Sequence, residues 1–294
     1  MASGSATHPT VNPASRKILL GETKSTAIPI LSITHGVGSL VFGTDHTLLV
    51  STGDGASAST YDDGGNISGS YANQARADNI ISDKENIGAS RSQLVDCLNG
   101  KILRIDPETG NGVPSNPFYD PASPGRPASK VWALGLRNPF RITLQPGTGS
   151  HSPEDGNPGI IYPGDVGWLT YEELNKVDGP GQNFGWPIYE GLTALGYASY
   201  LTPNRDAPNP LYQIGGCTKQ FFNFQDLIKQ ATPSGTSTFP NSCNTSQNIP
   251  SSIPTFVHTR AMIDWKHGSG PSRTGIFSGQ TAAEINIGAP GSPV

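Results

Sequence analysis

An imidazole at His35 and a carboxylate at Asp54 bracket the stretch THGVGSLVFGTDHTLLVSTGDGAS. Each sits in a Gly-rich loop, and between them run two short apolar segments joined by a turn. Two adjacent antiparallel strands bring the chain back to the end it left, which places the pair at one rim. A carboxylate that fixes the orientation and tautomer of an imidazole makes that ring a usable general base. On spacing alone the plainer reading has the stronger claim: a loop histidine, and a turn former in a Gly-Asp-Gly corner.

Two further segments carry groups of chemical interest. GLRNPF supplies Arg137 and Asn138, and GDVGWLTYEELN supplies Asp165 and Glu172. A guanidinium in a polar pocket stabilises a developing oxyanion or clamps a carboxylate. It serves equally as a salt bridge that pins a corner, with Asp165 the expected partner. YDDGGN, at 61–66, offers the oxygen ligands that Ca²⁺ takes, though a solvated loop is its simpler reading.

These residues need elements to hold them. The chain carries 36 glycines and 26 prolines in 294 residues, and helical runs rich in Lys, Glu and Ala are scarce, so a mostly β fold of short strands is expected. Strand signals are RKILL near Lys17, SLVFG, TLLVS, GKILRID, KVWAL, FRITL and GIIYPG. Ile81 to Leu98 reads as helix, and TYEELNKV as either helix or strand. SLVFG, a turn and TLLVSTGDGA resemble FRITLQPG, a longer turn and IIYPGDVGW, and a further strand follows each copy. Such repeated antiparallel units ending in polar Gly corners predict β-propeller blades, with a sandwich as the alternative. Pieces of two more blades are expected in Lys17 to Leu31 and Ile253 to Trp265. No closing strand is legible in GQTAAEINIGAPGSPV, so the expected propeller is incomplete. Residues 1–16 read as a polar leader. Residues 17–294 read as one propeller domain with long insertions at about 56–99 and 191–252, and a shorter one at 147–159.

Composition excludes some partners. The net charge of −4 is spread along the chain without a Lys/Arg cluster, so no nucleic acid or anionic membrane is expected. No apolar run approaches the roughly 20 residues that span a bilayer, and the N-terminus lacks the apolar core of a secretory signal. Cys217 and Cys243 flank a loop-like insertion and are a candidate disulfide, which needs an oxidising compartment. Cys97 follows an apolar pattern and reads as a buried thiol.

HGVGSLVFG…LLVSTGDG, NGKILRIDPETG, VPSNPFY, VWALGLRNPFR, GDVGWLTYEELN and GQNFGWPIYEG occur in that order between Gly36 and Gly191. With them the chain resembles the soluble quinoprotein glucose dehydrogenase family, also called the glucose/sorbosone dehydrogenase family. That family includes aldose sugar dehydrogenases and the propeller of Hedgehog-interacting proteins. The resemblance implies a six-bladed propeller with pyrroloquinoline quinone (PQQ) and Ca²⁺ at the top of its channel. It implies that His35 takes the proton from an aldose C1 hydroxyl while hydride passes to the quinone, and that Asp54 orients His35. Arg137 and Asn138 would lie beside the quinone, with Arg137 stabilising charge on the reduced cofactor. Gly167 and Trp168 would give Ca²⁺ their backbone carbonyls, with Asp165 and Glu172 as nearby acidic groups. Trp168 departs from the proline often found there. The cations that clamp the PQQ carboxylates come from C-terminal blades in this family, and Arg260, Lys266 and Arg273 lie outside the matching motifs. An aldose substrate, an external electron acceptor and a periplasmic or secreted location are implied with the activity. The alternatives are a non-catalytic extracellular propeller that binds a protein or glycan, and an inactive fragment.

Overall fold

The computed structural model describes residues 2–5, 8–65, 67–195, 201–234, 238–268 and 270–288. The fold is all-β and of the propeller type. One sheet has four strands in chain order, each antiparallel to the next: β1 (Val37–Phe42), β2 (Leu48–Thr52), β3 (Lys101–Ile105) and β4 (Val131–Leu134). A second sheet runs in the same way through β5 (Pro139–Leu144), β6 (Ile161–Asp165), β7 (Tyr171–Leu174), β8 (Ile263–Lys266), β9 (Ser272–Ser278) and β10 (Thr281–Asn286). The repeat legible in the sequence is therefore structural: β1–β2–β3 and β5–β6–β7 are equivalent meanders.

Burial explains the sequence patterns. β3 is buried along its whole length, Lys101 and Arg104 included, whereas β6 alternates buried and half-buried residues in the period-2 manner of a strand with unlike faces. Leu49, Ile102, Trp132, Ile142 and Ile161 form a core shared by the two sheets. On the opposite face, Val50, Leu103 and Leu134 pack against Leu19, Leu20 and Phe256.

Several expectations are corrected. RKILL forms no strand; Leu19 and Leu20 instead cover the first sheet as irregular chain. Ile81 to Leu98 is not one helix but holds two 3₁₀ turns, Asp83–Glu85 and Gly88–Gln93, while a short α-helix lies earlier at Ala72–Ala77. TYEELNKV resolves as strand β7. The Ile253 to Trp265 region supplies no separate blade, because β8 pairs with β7 and extends the second sheet. The apparently strandless C-terminal stretch contributes the β9–β10 hairpin. β10 has no buried residue and β9 is buried only at its first two, so neither leaves a core-facing apolar pattern in the sequence.

The 191–252 insertion has its own small core of Ala207, Phe222, Leu227, Ile249 and Ile253, and holds the Cys217–Cys243 disulfide. Cys97 is a buried free thiol, as expected. In YDDGGN, Asn66 lies outside the described residues. The Asp62 carboxylate accepts the Ser57 and Gly64 amides, which is the work of a loop former.

Candidate active site

The hairpin return brings His35 and Asp54 together. Gly53 N–H donates to the Gly36 carbonyl and Gly55 N–H to that of His35, which ties the two loops into one corner. Gly53 must be glycine, because a Cβ there would lie 2.6 Å from the His35 carbonyl oxygen. His35 itself takes a left-handed backbone, with φ of 60°. Only tertiary contacts hold a non-glycine residue in that region, and such strain collects at functional sites. Its ring lies 2.7 Å from the Asp54 carboxylate through Nδ1, and both side chains are nearly fully buried.

Asp54 is held from four directions. Oδ1 meets His35 and accepts the Ala56 amide at 2.9 Å, Oδ2 accepts the Trp186 indole N–H at 2.8 Å, and its carbonyl accepts Arg91 Nε–H at 3.1 Å. Burial alone would raise the Asp54 pKa. His35, the Arg137 charge and the Ala56 amide overcome it and hold the carboxyl below its ordinary value. An ionised carboxylate can only accept, so the imidazole nitrogen facing it carries the proton and Nε2 keeps its lone pair.

Arg137 and Asn138 follow β4 at the corner that leads into β5. The expected Arg137–Asp165 salt bridge is replaced by a different pin: Asp165 accepts the backbone amides of Arg137 at 2.9 Å and Asn138 at 2.6 Å. The guanidinium turns the other way and donates through Nη1 to the carbonyls of Val166 at 3.0 Å and Gly167 at 2.7 Å. Its Cζ sits 5.4 Å from the centroid of the Trp186 ring, a cation–π arrangement. Burial pushes the Asp165 pKa up to about 6; the two amides and the Arg137 charge oppose the rise and Asp54 adds to it.

The four residues expected at Ca²⁺ lie together; Gly167, Asp165 and Glu172 each accept hydrogen bonds there, while Trp168 is held through its amide. Gly167 O accepts from Arg137, and Glu172 accepts the Gly167 amide at 3.0 Å and pairs with His267 at 2.9 Å. Asp165 spends both oxygens on amides, and Trp168 N–H donates to Glu190 Oε1 at 2.5 Å. Among the described residues no group of three or more His, Cys, Asp or Glu side chains is arranged to hold a metal ion. Behind this shelf a row of acids crosses the sheet, with Asp165 opposite Glu173, Glu173 opposite Asp264 and Asp264 opposite Arg273. Burial first, then Asp165 and Glu190, lift the Glu173 pKa well above the usual carboxylate range.

Two of the three C-terminal cations are occupied elsewhere. Arg273 grips Asp264 at 2.6 and 2.9 Å, and Arg260 donates to the carbonyls of Ile276 and Ala283. Three site residues had no role in the sequence reading. Trp186 stands in GQNFGWPIYEG, a quoted motif, but nothing local says where its indole points. Glu190, whose Oε1 gathers the amides of Trp168, Leu169 and Thr170, lies in the same motif, whereas Arg91 carries no sequence signal.

Comparison with known proteins gives a consistent picture. Residues 26–211 match the family model for glucose/sorbosone dehydrogenase. The HIPL2 protein of Arabidopsis thaliana is 30% identical over 174 residues, which are 54% of this chain and 19% of that protein. The HIPL1 protein of the same plant is 28% identical over 199 residues, 62% of this chain and 23% of that one. The chain thus spans about a fifth of the length of these curated relatives. Among solved structures, the PQQ-bound aldose sugar dehydrogenase of Streptomyces coelicolor is 19% identical, covering 89% of this chain and 51% of its own, with a TM-score of 0.36. The soluble aldose sugar dehydrogenase of Escherichia coli in its apo form is 19% identical over 88% of this chain and 56% of its own, with a TM-score of 0.35.

Proposed function

The chain belongs to the glucose/sorbosone dehydrogenase family, and from that premise we propose that it carries the base of a quinone-dependent aldose dehydrogenase, oxidising the sugar at C1 to the lactone. The observation that carries this reading is the 2.7 Å His35–Asp54 contact at a corner built for it. With Nδ1–H directed at Asp54, His35 Nε2 accepts the proton of the C1 hydroxyl. Asp54, held ionised, stabilises the imidazolium that results. The ring is only 4% exposed, so a sugar reaches Nε2 after the surrounding loops give way.

Thr34 Oγ1, on the residue before His35, and Arg91 Nη2, on the guanidinium that donates to the Asp54 carbonyl, are buried and have no hydrogen-bond partner among the described residues. Together with Arg137 they suit an acceptor-rich group such as PQQ, because buried polar atoms ordinarily find partners. Bound there, PQQ would supply the two-electron acceptor for the C1 hydride, and an external acceptor would reoxidise it. Arg137 would hold negative charge beside it. A Ca²⁺ ion at the carbonyl shelf would share the Gly167 oxygen with the Arg137 guanidinium, which already donates to it. The Cys217–Cys243 disulfide supports a periplasmic or secreted setting. The engagement of Arg260 and Arg273 elsewhere favours the second reading, a non-catalytic propeller that binds a protein or glycan.

The deciding experiment incubates purified chain with PQQ and Ca²⁺, then assays glucose and other aldoses with an artificial electron acceptor. His35→Ala is expected to lower turnover about 10²- to 10⁴-fold while cofactor uptake persists. Unchanged turnover would remove His35 as the base. Failure of the wild-type chain to take up PQQ and reduce the dye would leave the non-catalytic reading.

A further inference from the structure

We infer that Trp186 is a positioning residue that joins the two halves of the site, aiming Asp54, and through it the His35 ring, while its face carries the Arg137 guanidinium. The inference rests on the reading of His35 as the base. Trp186 Nε1–H donates to Asp54 Oδ2 at 2.8 Å, across 132 residues of sequence. Oδ1 is shared by His35 and the Ala56 amide. A carboxylate fixed at both oxygens cannot twist about its Cβ–Cγ bond, so it presents one lone pair to His35 Nδ1 in one direction. Without the indole donor that restraint falls to Oδ1 alone.

The indole is itself over-determined. Trp186 N–H donates to the Gly135 carbonyl at 2.9 Å. The Trp186 carbonyl accepts Ser92 Oγ–H and Gln93 Nε2–H, both at 2.7 Å. Gln93 and Asn183 exchange two amide hydrogen bonds of 2.8 and 3.0 Å, which brace Gln93 in turn. Space-filling alone would not need a main chain clamped on both sides. The ring then meets Arg137 Cζ at 5.4 Å from its centroid and the Trp168 ring edge-on at 6.4 Å. One side chain therefore touches the carboxylate that orients the base, the cation of the site, and the residue after Gly167.

The test needs no cofactor. Long-range ¹H–¹⁵N NMR of histidine-labelled chain reads the tautomer of His35 in the wild type, in Trp186→Phe and in Asp54→Asn. Trp186→Phe keeps an aromatic face for Arg137 and removes the N–H together with one ring of the buried indole. It is expected to shift the Nδ1–H to Nε2–H ratio about tenfold towards Nε2–H, the size of one lost charge-assisted hydrogen bond. Asp54→Asn should shift it further. A ratio unchanged in Trp186→Phe overturns the inference. Should that variant fail to melt cooperatively, wild-type chain with ring-labelled tryptophan replaces it. The Trp186 Nε1–H must then exchange with solvent far more slowly than an exposed indole, and fast exchange overturns the inference equally. Where turnover is found, Trp186→Phe lowers kcat about 10- to 100-fold with KM little changed, as loss of an outer-shell partner does. A tautomer shift in a chain that oxidises no aldose would sink the dehydrogenase reading and leave the role of Trp186 in the dyad standing.

Discussion

Replacing Asp165 by asparagine tests how the corner that carries Arg137 is held. Asp165 is 2% exposed, and burial, the largest cause, raises its pKa from the ordinary 3.8 to about 6. A folded-state pKa raised above the unfolded value means the native state binds the proton more tightly. The stability it contributes is therefore complete below about pH 3.8 and is lost as pH rises through about 6. A shift of about two units corresponds to roughly 3 kcal/mol, an upper size because Glu173 titrates alongside it. Asparagine does not titrate, but it has one acceptor oxygen where Asp165 uses two, so its NH₂ group leaves one of the two backbone amides without an acceptor. Asp165→Asn is therefore expected to destabilise the chain at pH 4 by about 1 to 3 kcal/mol, the cost of the amide left unpaired, and to cost up to about 3 kcal/mol less, or to stabilise, at pH 7.5. Urea denaturation of both proteins at pH 4, 6 and 7.5 measures this directly, and the difference between them cancels every other titrating group. The reasoning fails if Asp165→Asn destabilises as much at pH 7.5 as at pH 4. That outcome would mean that the paired amides of Arg137 and Asn138 outweigh burial, and that the acid is ionised throughout.

His258 carries the opposite sign: burial lowers its pKa to about 3, so stability falls as pH drops from 6.5 towards 3, by on the order of 4 kcal/mol, and melting of wild type and His258→Asn over that range should diverge. Gly167→Ala would place a Cβ 1.5 Å from the Tyr171 carbonyl oxygen, so the corner must rearrange; a loss of about 3 kcal/mol or more in urea is expected, and a neutral effect would contradict the close approach. Reduction of Cys217–Cys243, which closes a loop with a sequence separation of 26, should lower stability by about 3 kcal/mol, read as the shift in denaturation midpoint with reductant. Before reduction one thiol, Cys97, should react with a thiol reagent, and only on unfolding.

Sheet elements with steady patterns were legible in the sequence. SLVFG, TLLVS, GKILRID, KVWAL, FRITL and GIIYPG all became strands, because a strand between two packed layers, or with one buried face, leaves an apolar run or an alternation in the chain itself. RKILL misled because an apolar segment can cover a sheet face without joining its ladder. The β9–β10 hairpin was missed for the converse reason: its pairing is satisfied by backbone hydrogen bonds, and its exposed faces need no apolar pattern. Ile81 to Leu98 has helix-compatible spacing, but Arg91, Ser92 and Gln93 are buried and spent on partners elsewhere in the chain, which splits the segment into 3₁₀ turns.

By itself the sequence determined that His35 and Asp54 share a rim, since two strands and a tight turn must return to their origin and that geometry is local. It also determined the repeat that places Arg137 and Asp165 at the equivalent corner of the second sheet. Tertiary structure alone decided the hydrogen-bond partners. Asp165 takes the amides rather than the guanidinium, Arg137 covers the Gly167 carbonyl, and Trp186 reaches Asp54. The physical reason is range. Strand patterning is written within a few residues, whereas the partner of a buried donor depends on how segments from about thirty to more than a hundred residues apart come to rest against each other.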